Sequence, residues 1–180
     1  ISACIQDNRG AVVHYAGDAV LADFTTVSDA LKCAVAIQDE LGNRNGELAD
    51  SRKLRFRIGV NLGEVIQDRG DIYGDGVNVA ARLESLAEPG GICISESVRS
   101  AAGSKLDLTY EFIGEREVKN ILDPVRTYRV HKSEPSTEVK TEGSITTGPR
   151  TNEDDNKGAR QRPSLAVIPF ACMSEARDLE

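Results

Sequence analysis

An amide and a guanidinium stand four residues apart at Asn78 and Arg82, directly after the glycine-rich run Gly74-Asp75-Gly76. In an α-helix that spacing sends both side chains out of one face, one turn apart. Held together, they suit a polyphosphate or a negative charge that develops during a reaction. The plainer alternative is a solvated helix face on which Arg82 pairs with Glu84 or Glu88. A second candidate is Asp18, which follows Gly17 between two short β-prone runs. A Gly-Asp pair by itself most often only makes a turn.

The surrounding pattern supplies elements to hold these residues. Val12-Val13-His14-Tyr15 and Val20-Leu21-Ala22-Asp23-Phe24, joined by Ala16-Gly17-Asp18-Ala19, read as a hairpin. Thr26, with Asp29 three residues on, opens a helix along Val27, Ala30, Leu31, Ala34, Ile37 and Leu41, and Gly42 is placed to end it. Residues 43–52 are polar and read as a loop. Leu54 to Asn61 alternates like a strand whose Arg55–Arg57 side faces away from the core, and Gly63 to Ile66 continues it. The helix of Asn78 buries Val79, Leu83 and Leu86 and stops before Pro89-Gly90-Gly91. Ile92-Cys93-Ile94 reads as a short buried strand. Residues 110–118 and 125–130 read as a final strand pair.

The 180 residues suffice for one domain with a core, plus extras. A net charge of -7 argues against nucleic acid as the main partner. The four Cys form no CxxC pair; Cys33 and Cys93 sit in apolar runs and read as core residues of a reducing, cytoplasmic compartment. No apolar stretch approaches the roughly twenty residues that cross a bilayer. The chain opens at Ile1 in what reads as a helix already under way, with no initiator Met, so it is expected to be part of a longer protein. Residues 132–162 are polar and poor in large apolar side chains, the composition of a disordered linker. Pro163-Ser164-Leu165-Ala166-Val167-Ile168-Pro169-Phe170 then reads as a new strand. It resembles the opening of a TolB-like domain.

Four motifs occur in order: Gly17-Asp18 in its hairpin; Arg57-Ile58-Gly59-Val60-Asn61-Leu62-Gly63; Ile72-Tyr73-Gly74 through Val77-Asn78-Val79-Ala80-Ala81-Arg82-Leu83; and Ala87-Glu88-Pro89-Gly90-Gly91-Ile92-Cys93-Ile94-Ser95. Together they resemble the catalytic domain of class III adenylyl and guanylyl cyclases over residues 1–131. The resemblance implies an α+β, ferredoxin-like βαββαβ fold with helices on one sheet face, lacking its first strand. It implies a phosphorus-oxygen lyase in which the ribose 3′-oxygen attacks the α-phosphorus of a nucleoside triphosphate and expels pyrophosphate.

Residue by residue, Asn78 matches the Asn that orients the ribose and Arg82 the Arg that stabilises the transition state. Lys119 matches a Lys on the terminal phosphates. Asp18 matches one of two Asp residues that hold two Mg²⁺ or Mn²⁺ ions. The second metal Asp belongs to a strand upstream of Ile1. No acidic residue before Asp18 replaces it, since Asp7 falls at a helix end, so this stretch alone is expected to be inactive. Asp71 fits the adenine-selecting pattern, because a carboxylate accepts from the purine 6-amino group and repels a 6-oxo group. His14 departs from both the adenine and guanine patterns, yet a neutral imidazole donates to adenine N1 as Lys does. The expected substrate is ATP, the product cyclic AMP, and the assembly a homodimer with each site shared between copies. The alternatives are a guanylate cyclase and a non-catalytic nucleotide-binding or dimerisation module. Domain bounds are expected at 1–131 for the cyclase, 132–162 for the linker and 163–180 for the start of a following domain.

Overall fold

Residues 1–17, 19–68, 71–116, 124–133, 166–167 and 170–173 are described by the computed structural model. In chain order the elements are α1 (Ser2–Asp7), β1 (Gly10–Ala16), β2 (Ala19–Phe24), α2 (Val27–Asn45), β3 (Arg55–Leu62), β4 (Ile66–Asp68), β5 (Asp71–Tyr73), α3 (Asp75–Leu86), β6 (Ile92–Ser95), α4 (Glu96–Ala102), β7 (Leu108–Arg116), β8 (Val125–Lys132), β9 (Ala166–Val167) and β10 (Phe170–Met173). The fold is α+β. β1 and β2 form an antiparallel hairpin, and β4 pairs with β5. The main sheet runs β10-β3-β6-β8-β7, with β3 and β6 parallel and the other neighbours antiparallel.

Local chemistry explains most boundaries. The Thr26 hydroxyl accepts the Asp29 N–H at 3.1 Å and donates to the Asp29 carboxylate at 2.8 Å, which caps α2. Asp29 is itself only 4 % exposed, and Arg9 meets its carboxylate at 2.6 Å. That pairing offsets the cost of burying the charge. α2 runs past Gly42 to Asn45. An interior Gly costs a helix about 1 kcal/mol. Asn45 outweighs this by gripping Leu54 twice, donating to its carbonyl at 2.6 Å and accepting its N–H at 3.0 Å.

The core lies on both faces of the sheet. Ile58 and Val60 of β3 and Ile94 of β6 pack against Ala30, Leu31, Ala34 and Ile37 of α2 and Val98 of α4. Cys93, on the opposite face of β6, packs against Val79 and Leu83 of α3. The expectation of helices on one face therefore holds for α2 and α4 and fails for α3. The β3 side that begins with exposed Arg55 is buried from Gly59 to Asn61, because α3 lies on it. The chain also leaves the sheet after Leu62, so the expected continuation through Ile66 is a separate hairpin, β4–β5. α4, seven residues long, carries too little pattern to be legible in the sequence.

The strand expected from Pro163 onward exists in two pieces. Ala166 and Val167 pair with Leu62 and Asn61, and Phe170 to Met173 pair with Ile58 to Arg55, both antiparallel to β3. Both pieces also run beside β2. The expected linker, from residue 134 on, and the positions of Asp18 and Lys119 lie outside the described residues.

Candidate active site

Glycine spacing in β3 determines how α3 is seated. A Cβ built on Gly59 would fall 2.3 Å from the Ala80 carbonyl oxygen and the Glu84 nitrogen, so the helix backbone rests directly on the strand. Four residues on, a Cβ at Gly63 would come within 3.1 Å of Gly76 Cα. Between them, Asn61 is buried at 5 % exposure and its amide Nδ2 donates to the Gly76 carbonyl at 3.1 Å. The Arg57-to-Gly63 motif is thus the bed on which the Asn78 helix lies. Asn61 was not singled out from sequence. Its signal was an Asn within the run Ile58-Gly59-Val60-Asn61-Leu62, where a strand position that is to be buried ordinarily takes a β-branched residue.

Asn78 and Arg82 are both exposed on α3. Among the described residues, no hydrogen bond or ion pair engages either side chain. Glu88, one of the two alternative partners of Arg82, pairs with Arg129 at 2.5 Å. The helix therefore presents an amide and a guanidinium to solvent, free to meet an external anion.

The β1–β2 hairpin is held against α3 and β5 by one apolar cluster. Leu21, Ile72 and Ala80 are buried together, with Val13, Val65 and Val77 packed around them. The β1–β2 register shifts between Val12 and His14, leaving Val13 as an extra residue. Beyond this bulge His14 pairs with Leu21. Directly opposed residues share a sheet face, so His14 leaves β1 on the side of Leu21, toward β5 and α3. Asp71 opens β5, immediately before the clustered Ile72. Three of the expected residues, His14, Asn78 and Arg82, are thus carried by elements locked to one another, and β5, which Asp71 opens, is locked to the same cluster. Ala16 pairs with Ala19 across the hairpin end, so only Gly17 and Asp18 intervene in sequence. Arg116 pairs with Val125, which brackets the segment containing Lys119.

An open cleft of about 900 Å³ flanks the first turn of α3 and is lined by Asn61, Glu64, Asp75, Ser95, Glu96 and Arg126 among others. Asn78, Arg82 and His14 do not line it, so the cleft alone does not define the candidate site. Near its rim the Tyr128 hydroxyl donates to the Glu96 carboxylate. That bond, helped by Ser100 and Arg99, holds Glu96 below the ordinary carboxylate range. On β2, burial raises the Asp23 carboxyl.

Among the described residues there is no group of three or more His, Cys, Asp or Glu side chains able to hold an ion. Asp18 has the hard oxygen donor that Mg²⁺ or Mn²⁺ prefers, but its placement lies outside the described residues. No helix among the described residues is long and apolar enough to cross a membrane.

Comparison with known proteins bears on this geometry. The family described as the adenylate and guanylate cyclase catalytic domain matches residues 6–132. The putative adenylate cyclase 3 of Rhizobium meliloti is 35 % identical over 93 % of this chain, which spans only 27 % of that relative's length. A crystal structure of an adenylate/guanylate cyclase/hydrolase from Silicibacter pomeroyi superposes with a TM-score of 0.70 at 38 % identity, covering 72 % of this chain and 77 % of that one. The catalytic core of a rhodopsin-guanylyl cyclase with converted specificity, in complex with ATPαS, gives a TM-score of 0.62 at 26 % identity, covering 72 % and 75 %. Domains of this class generally use divalent metal ions. With the motifs, the seat of α3 and the exposed Asn78–Arg82 pair all in place, the chain belongs to the adenylate and guanylate cyclase catalytic domain family.

Proposed function

We propose that this domain converts ATP to 3′,5′-cyclic AMP and pyrophosphate at a site shared between two copies of the chain, in a cytoplasmic signalling protein. The observation that carries the reading is the Asn78–Arg82 pair, exposed one turn apart and without side-chain partners among the described residues. Arg82 stabilises the charge that builds on the α-phosphoryl oxygens, and Asn78 orients the ribose. A donor fixed on a helix before the reaction needs no reorganisation as that charge develops. His14, on the face toward β5, and Asp71, at the start of β5, read the adenine edge. Lys119 neutralises the terminal phosphates. Asp18 supplies one carboxylate toward two Mg²⁺ or Mn²⁺ ions, whose chemistry when bound is to acidify the 3′-hydroxyl and neutralise the leaving pyrophosphate.

Surface chemistry supports the shared site. Ile66 and Tyr73, paired across the β4–β5 hairpin that precedes α3, are 69 % and 54 % exposed. A second copy would cover this apolar surface and bring its own hairpin turn toward Asn78 and Arg82.

The test is product analysis with the full-length protein and Mn²⁺, offering ATP and GTP separately beside an Arg82→Ala variant. The expected result is cyclic AMP from ATP, with turnover lowered about 10²–10³-fold by Arg82→Ala. Cyclic GMP as the main product would reassign the base. No product from a folded protein that still binds ATP would leave a nucleotide-binding module.

A further inference from the structure

We infer that Asn61 is a positioning residue: its buried amide fixes the first turn of α3 on the end of β3 and so sets where Asn78 and Arg82 stand. The inference rests on the roles proposed above for those two residues.

Burial is the first argument. A side-chain amide removed from water without a partner costs roughly 1–3 kcal/mol, and Asn61 is 5 % exposed on the side of β3 that α3 covers. An apolar residue would serve packing at position 61 equally well. Asn61 instead directs its Nδ2 at the Gly76 carbonyl, 3.1 Å away.

The identity of the acceptor is the second argument. At the start of a helix the N–H groups lack partners, whereas the carbonyls already accept from the next turn. Gly76 lies in the first turn of α3. Asn61 therefore does not satisfy an orphan group; it adds a second hydrogen bond to a carbonyl with a spare lone pair. Such a bond does little for the helix as a helix and much for where the helix sits. No side chain caps α3, since its N-cap is Gly74. The tight approach of Gly63 to Gly76 leaves little slack around the bond. At 1.5 Å of rise per residue, Asn78 follows about 3 Å and Arg82 about 9 Å along the same axis.

The experiment uses the full-length protein with Asn61→Ala and the isosteric Asn61→Asp, each also combined with Arg82→Ala. Displacing catalytic groups by about 1 Å costs up to about 100-fold in rate. Both single variants should lose about 10- to 100-fold in kcat while KM for ATP changes less than about threefold. In the Arg82→Ala background the further loss should shrink but persist, because part of the effect of Asn61 acts through the group already removed and the rest through Asn78. Independently of turnover, amide exchange of residues 76–82 should quicken at least about tenfold, with β6 and β8 unchanged. Multiplicative losses in the double variants, or unchanged exchange along α3, would overturn the inference. Should Arg82→Ala leave turnover intact, the proposed catalytic role of Arg82 fails, and the exchange measurement still decides whether Asn61 holds the helix.

Discussion

Replacing Gly59 by Ala tests the seat of α3 directly. In an ordinary strand this change is favourable by roughly 0.5–1 kcal/mol, because Gly loses more backbone entropy on folding. Here the new Cβ would lie 2.3 Å from two backbone atoms of α3, Ala80 O and Glu84 N, while ordinary contact begins near 3.4 Å. Helix and strand must separate by about 1.1 Å, and the opposing atoms are backbone, so no rotamer change relieves the clash. Overpacking of this kind typically costs about 1–3 kcal/mol, which exceeds the propensity gain and reverses its sign. The separation also carries Asn78 and Arg82 with the helix, so turnover should fall by about 100-fold. Urea denaturation of the full-length variant reads the first effect, and cyclic nucleotide formation from ATP reads the second. A denaturation midpoint at or above that of the parent, with turnover intact, would mean that α3 does not rest on β3 at Gly59.

Three further outcomes follow from named contacts. Gly42→Ala should raise stability by about 0.5–1 kcal/mol, since the position is helical and its Cβ would meet open space; a urea midpoint that falls would contradict this. Thr26→Ala should cost about 1 kcal/mol by removing the α2 cap and one partner of the buried Asp29, measured by the same melt. Burial pushes the Cys93 thiol up to about 11 from an ordinary 9.0. Because the folded value is the higher one, its stabilisation is complete below pH 9 and is lost as pH rises from 9 toward 11. The stability difference between parent and Cys93→Ala should therefore shrink over that interval, and a difference that stays constant across it would refute the assignment.

Much of this structure was legible in the sequence because local signals agreed with tertiary demands. Thr26 with Asp29 marked a helix start, the β-prone runs on either side of Gly17-Asp18 marked a hairpin, and the spacing of Val79 and Leu83 marked the buried side of α3. The failures share a cause: they depend on what lies against an element rather than on its own pattern. The alternation of Arg55 and Arg57 looked solvent-facing, yet α3 covers the continuation of that face at Gly59 and Asn61. Gly42 looked like a stop until Asn45 was seen to hold Leu54. The short α4 offered only seven residues of pattern. Within the candidate site, Asn78, Arg82, His14 and Asp71 could be picked out from sequence by family resemblance. Asn61 offered only the signal of an amide where a buried strand position ordinarily takes a β-branched residue, because its partner, the Gly76 backbone, has no side-chain signature.

The hairpin register has a consequence for how this site can vary. Gly17 and Asp18 alone separate the paired Ala16 and Ala19, and that spacing, with the extra Val13, sets His14 against Leu21 rather than Val20. Leu21 faces β5 and α3, whereas Val20 belongs to the main core. A one-residue insertion in the turn, absorbed by slippage of the strands, would turn His14 into the core and bring a neighbour into its place. The residue proposed to read the base is therefore chosen by the length of the turn that holds the proposed metal ligand. Substitutions can change either residue alone, but a change in length alters both together.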